Sequence, residues 1–213
     1  MPTFPLVSLR LLLLAGLLAV AMATMAQAPT PRILVLGDSI SAAYGMSLEQ
    51  GWVTKMSQRL ADDAVPTEFI NASISGETSG GALKRLPKLL ESHAPAVVII
   101  EIGGNDGLRG YPLDKLKQNL SRLVLLSEDA GARTILVPME IPPNYGRRYT
   151  AGFRNLYSAI ADETGTMLSP FIMDGVATQP TLMQDDGIHP TAEAQPLLVE
   201  NMMPTVREAL QTP

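Results

Sequence analysis

The sequence contains no cysteine, only two histidines and a single tryptophan among its 213 residues. Without cysteine there is no disulfide, no thiolate metal ligand, no thiol nucleophile and no site for N-terminal lipidation. Two histidines without a His-Glu-x-x-His cluster cannot supply the usual zinc ligands, so no metal is expected. The glycine-rich loops that cradle phosphates, Gly-x-Gly-x-x-Gly and Gly-x-x-x-x-Gly-Lys, are also missing. So is Gly-x-Ser-x-Gly, the nucleophile elbow of the α/β-hydrolases. Excess positive charge is lacking too: 16 basic against 21 acidic residues leave a net charge of −5. The basic residues are scattered, Arg147-Arg148 being the densest pair, and no nucleic-acid partner is expected.

Long apolar runs are scarce. The one that stands out, Leu11–Ala23, follows Arg10 and is trailed by the small-x-small tripeptide Ala26-Gln27-Ala28. At 1.5 Å per residue the run makes about 20 Å of helix, short of the ~30 Å hydrocarbon core of a bilayer. Residues 1–28 therefore read as a cleavable signal peptide and not as a stable membrane anchor. An uncleaved anchor is the alternative. Residues 29–213 remain as one domain, long enough to bury a core without disulfides or metals.

Within that domain, apolar runs alternate with helical patterns at α/β spacing. Strands are expected at Arg32–Leu36, Thr67–Asn71, Val97–Ile102 and Thr134–Val137, with a weak fifth at Met167–Leu168. Helices are expected near Gly51–Asp63, Gly80–His93, Asp114–Ala130 and Tyr149–Glu163, and over Thr191–Leu210, where Pro196 and Pro204 should kink or interrupt. Continuous Val/Ile/Leu runs suit strands covered on both faces. Right-handed β-α-β crossovers then predict a three-layer α/β/α sandwich with a mainly parallel, flavodoxin-like sheet of about five strands.

The polar motifs fall at one edge of such a sheet. Gly37-Asp38-Ser39 follows the first strand, Ser73-Ile74-Ser75-Gly76 the second and Gly103-Gly104-Asn105-Asp106 the third. Open α/β sheets bind ligands at that carboxyl edge. A serine hydroxyl needs a base, and His189 sits in Asp185-Asp186-Gly187-Ile188-His189-Pro190 just ahead of the last helix. Ser39 as nucleophile, His189 as base and Asp186 as orienting carboxylate complete a triad, with Asp185 the competing partner. Oxyanion donors are expected from the Ser39 amide, the Gly76 amide and the Asn105 side chain. Taken singly, each motif serves equally well as a turn or a helix cap. His93, in Glu91-Ser92-His93-Ala94-Pro95, reads as a solvent-facing helix end.

Gly37-Asp38-Ser39-Ile40, Gly76, Gly103-Gly104-Asn105-Asp106 and Asp186-Gly187-Ile188-His189 resemble the four signature blocks of the SGNH (GDSL) hydrolases. The longer stretches from Asn71 to Ser79, from Gly103 to Gly110, from Asn144 to Tyr149 and from Met183 to Pro190 resemble its periplasmic thioesterase/lysophospholipase/arylesterase branch. Ile40 departs from the usual leucine, a conservative apolar change. The resemblance implies the triad and oxyanion hole named above, no metal or organic cofactor, and a periplasmic location. It also implies hydrolysis of acyl esters and thioesters, including lysophospholipids, acyl-CoA and aryl esters, through an acyl-enzyme. A carbohydrate O-acetylesterase is the nearest alternative, and a non-catalytic ligand-binding module a more distant one.

For substrate contacts, Ile74, Leu108, Tyr111, Ile141, Pro142 and Pro143 could line an apolar acyl groove. Met173, Met183 and Met202 read as core filler and Trp52 as a helix-packing residue. The glycine-rich segment Ser75–Gly81 is expected to move over the substrate as a lid. The protein is expected to be a monomer.

Overall fold

A computed structural model describes residues 30–211. The signal-peptide reading of residues 1–28 lies outside them. Five strands, β1 (Arg32–Gly37), β2 (Glu68–Asn71), β3 (Val97–Glu101), β4 (Arg133–Leu136) and β5 (Met167–Leu168), form a wholly parallel sheet in the order β2-β1-β3-β4-β5. The register sets Ile33 opposite both Phe69 and Val97, and Leu36 opposite Ile100.

Successive side chains of a strand point to opposite faces, and the central strands use both for burial. Ile33, Val35, Val97 and Ile99 face a core closed by helix α1 (Trp52–Asp62) and helix α6 (Gln195–Gln211), through Trp52, Met56, Leu198, Met202 and others. Leu34, Leu36, Val98 and Ile100 face a second core. Helices α2 (Ser79–His93), α4 (Leu113–Asp129) and α5 (Arg147–Thr164) close it with Leu86, Leu120, Phe153 and Tyr157 among their contacts. Each fully buried aliphatic or aromatic side chain contributes about 1.5–3 kcal/mol, so the continuous Val/Ile/Leu runs commit these strands to the middle layer. The expected three-layer α/β/α sandwich is the observed architecture.

Three local features differ from the expectation. Residues read as a glycine turn after β3 form a short helix, α3 (Gly104–Leu108). The last helix begins at Gln195, because Thr191–Ala194 turns irregularly before it. Pro196 then occupies the first turn, where its missing N–H leaves no bond unmade. Pro204 lies inside α6 without ending it, as Pro87 does inside α2. His93 is the last residue of α2, half-buried, its carbonyl accepting a hydrogen bond from Arg32 Nη1 at 2.8 Å.

The connections from β1 to α1 and from β3 to α4 leave the sheet side by side at its carboxyl edge. Because β2 lies on one side of β1 and β3 on the other, this is the switch point where parallel sheets open a crevice.

Candidate active site

The chain turns sharply as soon as β1 ends. Ala42 N–H donates to Asp38 O (3.0 Å) and Tyr44 N–H to Ser39 O (3.1 Å), while the Asp38 carboxylate accepts from Ile40 N–H at 3.1 Å. This turn carries Asp38 inward and leaves Ser39 half-buried at the crevice. Gly37 must be glycine, since a Cβ there would lie 2.6 Å from Ser41 Cβ and 2.7 Å from Glu101 Oε2.

The loop before α6 is shaped by its own backbone. Met183 and Pro190 form an antiparallel bridge, and Gln184 N–H donates to His189 O at 2.8 Å. Asp186 Oδ1 accepts from the backbone of Ile188 (2.9 Å) and of His189 (3.0 Å). The Gln184 side chain ties this loop to the turn after β1, donating to Tyr44 O (2.8 Å) and Pro190 O (3.0 Å). The Tyr44 ring packs on the His189 imidazole, centroids 4.2 Å apart and tilted by 32°.

These supports bring three side chains into line. His189 Nε2 lies 2.8 Å from Ser39 Oγ, and Nδ1 lies 2.6 Å from Asp186 Oδ2. Of the two adjacent aspartates, Asp186 holds the imidazole and Asp185 stands exposed. Desolvation raises the Asp186 pKa, but hydrogen bonds from the His189 backbone and ring and from Ile188 outweigh it, holding the carboxyl at about 2. Asp186 is therefore a full acceptor, which favours a proton on Nδ1 and leaves Nε2 free to accept from Ser39.

A buried polar cluster lies beneath the serine. Asp38 Oδ2 accepts from Asn105 Nδ2 at 3.2 Å, so one proton of that amide is taken and its orientation is set. Glu101, fully buried, accepts through Oε2 from Ser41 Oγ (2.6 Å) and Asp38 N–H (3.3 Å), and Trp52 Nε1 donates to Ser41 Oγ at 3.1 Å. Trp52 thus packs α1 as expected and also donates into this cluster. Glu101 Oε1 has no partner among the described residues. Burial, with the Asp38 charge nearby, pushes the Glu101 carboxyl well above its ordinary range. Burial likewise raises Asp38 to about 6, against the pull of Ile40 N–H, the His189 charge and Asn105. Neither acid was singled out by sequence alone, because a carboxylate at a strand end usually reaches solvent.

The Asp38 shift makes a testable difference to stability. A carboxyl held at about 6 when folded, against 3.8 ordinarily, binds its proton more tightly in the native state. Its contribution is full below pH 3.8 and is lost as pH rises through 6. Urea unfolding of Asp38→Asn beside wild type from pH 4 to pH 7 is therefore expected to show wild type losing ground to the variant as pH rises. A stability difference independent of pH would refute the assignment.

The groove beside Ser39 has a volume of about 540 Å³. Leu108, Ile141, Pro142 and Pro143 line it, as the sequence suggested. Ile74 and Tyr111 do not; both stand exposed. Phe171, Met173, Ala177, Thr178 and Met183 also line it, a set the sequence does not point to and whose two methionines have the pattern of core filler. Met202 is core, and Met173 belongs to both core and groove wall. The expected lid divides in two. Thr78 caps α2, accepting from Gly81 N–H (3.3 Å), and Ser79 donates through its backbone (2.8 Å) and hydroxyl (2.6 Å) to Asp106. Ser79–Gly81 is thereby fixed in the helix, and only Ser75–Glu77 remains as loop.

Residues 35–196 match the GDSL-like lipase/acylhydrolase family. The chain belongs to this family. It is an acyl hydrolase, as the signature blocks implied. It is 48% identical to esterase TesA of Pseudomonas aeruginosa, over 95% of this chain and all of that one. It is 41% identical to thioesterase 1/protease 1/lysophospholipase L1 of Escherichia coli K12, covering 84% of this chain and 85% of the relative. Among solved structures it superposes on the psychrotrophic esterase EstA of a Pseudoalteromonas species, inhibited by monoethylphosphonate. The TM-score is 0.82 at 45% identity, over 85% of this chain and 99% of EstA.

Proposed function

We propose that the protein hydrolyses carboxylic esters and thioesters, including aryl esters and lysophospholipids, through an acyl-enzyme on Ser39. The observation that carries this reading is the hydrogen-bonded line from Ser39 Oγ through His189 to Asp186, opening directly onto an apolar groove. His189 Nε2 takes the serine proton as Oγ attacks the acyl carbon, then gives it to the departing alcohol or thiol. A water activated by the same nitrogen releases the acid. The developing oxyanion is met by the Ser39 and Gly76 N–H groups, neither of which donates to another described residue, and by the second proton of the Asn105 amide. Arg109 Nη2 holds Gly76 O at 3.1 Å and so steadies that donor. Ile141, Pro142, Phe171 and Met173 would desolvate the acyl chain, while Ser75–Glu77 borders the leaving group.

The reading includes export to the periplasm, supported by Arg10, the Leu11–Ala23 run and Ala26-Gln27-Ala28. Among the described residues no helix is long and apolar enough to cross a membrane.

The test is hydrolysis of 4-nitrophenyl esters from acetyl to palmitoyl by residues 29–213. A groove of this size is far larger than an acetyl group needs, so kcat/KM is expected to rise with chain length from acetyl into the medium chains. A maximum at acetyl would keep the chemistry and move the substrate towards O-acetylated sugars.

A further inference from the structure

Eight large apolar side chains are exposed among the described residues, and four of them stand on four different loops at the carboxyl edge of the sheet, the edge at which the groove opens. Scattered single exposures need no explanation, but convergence on one rim does. Tyr44 (49% exposed) packs on His189, and Ile188 (36%) lines the groove beside it. Ile74 (47%) is held by its N–H to Gly37 O at 3.1 Å and precedes Gly76 by two residues. Tyr111 (42%) follows Arg109, whose guanidinium reaches Gly76 O. Ile74 and Tyr111 looked like groove residues in the sequence, yet they point to solvent.

The rim continues into positive charge. Tyr149 Oη donates to Tyr111 O (2.6 Å) and Tyr145 Oη to Leu108 O (2.8 Å), anchoring the start of α5 to the edge of the groove. Arg147 and Arg148 stand there, exposed, in a shallow hollow with both tyrosines, and neither forms an ion pair with another described residue. In a chain of net charge −5 this local positive charge runs against the overall field.

We infer that this rim docks reversibly on an anionic lipid surface, with Tyr44, Ile74, Tyr111 and Ile188 entering the headgroup–acyl boundary and Arg147 and Arg148 lying against lipid phosphates. Charge complementarity selects the occupant. Isolated apolar tips ringed by tyrosines and arginines suit an interface that is apolar inside and negative outside. The groove opens at this same edge, so a docked protein would take an acyl chain from the lipid phase to Ser39 without a passage through bulk water. The inference deepens the proposed function by assigning surface-held lipids as a substrate class, but its test reads docking itself and is independent of turnover.

Residues 29–213 contain every strand and both cores, so this form carries the fold without the apolar N-terminal run. Sedimentation with vesicles of pure phosphatidylcholine, and of equimolar phosphatidylcholine and phosphatidylglycerol, measures docking. Wild type is expected to partition onto the anionic vesicles and to be released by 1 M salt, which shortens screening to about 3 Å. Arg147→Glu/Arg148→Glu is expected to lose at least roughly 30-fold in that partitioning, each arginine being worth about fivefold, while hydrolysis of a soluble acetyl ester is unchanged. Ile74→Ser/Tyr111→Ser, checked for an unaltered melting temperature, should weaken binding about tenfold or more through the lost apolar burial. Absence of binding to anionic vesicles at low salt would overturn the inference. So would binding that both variants retain in full, or equal binding to neutral and anionic vesicles.

Discussion

Replacing Ser39 by alanine is expected to lower kcat for an activated ester by about 10⁴–10⁶-fold while leaving a folded protein. The hydroxyl is the only group of the site placed to form an ester with the acyl carbon, being 2.8 Å from the one nitrogen that can take its proton. Its loss leaves His189 to activate water directly, with the oxyanion donors still in place, so a residual rate survives. Stability should change little, because Ser39 is half-buried and its only side-chain bond among the described residues is the one to His189. Two measurements check this. Burst kinetics with a 4-nitrophenyl ester should vanish in the variant, and a fluorophosphonate should add its mass to wild type alone. A variant that keeps more than about a tenth of wild-type kcat, or labels equally, would exclude Ser39 as the nucleophile.

The second large effect is expected at Asp186. An asparagine there keeps an oxygen for the backbone N–H groups of Ile188 and His189, so the loop retains its form. It places an N–H donor, however, opposite His189 Nδ1. The imidazole must then accept at Nδ1 and carry its proton on Nε2, facing Ser39 Oγ, where it cannot act as a base. A loss of about 10⁴-fold in kcat with little change in KM is expected, the magnitude seen when a triad carboxylate is neutralised in place. The same substitution at Asp185, which makes no bond to the ring, should leave kcat within about twofold. The paired kinetics decide between the two carboxylates. Equal losses at both positions would show that the observed Asp186–His189 bond is not what prepares the base.

Much of this was legible because it depends on short stretches of chain. A run such as Ile33-Leu34-Val35-Leu36 has apolar side chains on both faces of a strand and can only be buried between layers. The meeting of Ser39, His189 and Asp186 was legible for a related reason. Ser39 follows a strand directly, and Asp186 and His189 are separated by a single turn, so local geometry already limits where they go. The differences from expectation lie where local signals conflict. Gly103-Gly104-Asn105-Asp106 has the composition of a turn, yet the chain winds into α3 because Gly103 takes φ 122 and Tyr157 Oη, bonded to Ile102 O at 3.0 Å, fills the space a side chain would need. Pro204 has the look of a helix breaker, yet packing of α6 on the sheet outweighs one missing hydrogen bond.

By itself, then, the order of residues determined the parallel layered fold and which polar residues gather at its carboxyl edge, since periodicity, turn composition and the spacing of Asp186 and His189 are local properties. Only the tertiary structure decided the rest. Sheet order placed Glu101 of β3 beneath the turn after β1, and burial there raised both its pKa and that of Asp38. The fold of distant loops brought Phe171 and Met183 together with Ile141 as groove lining and left Ile74 and Tyr111 exposed outside it. Desolvation and shape both depend on which atoms surround a group, and those neighbours come from segments distant in sequence that meet only when the strands pair.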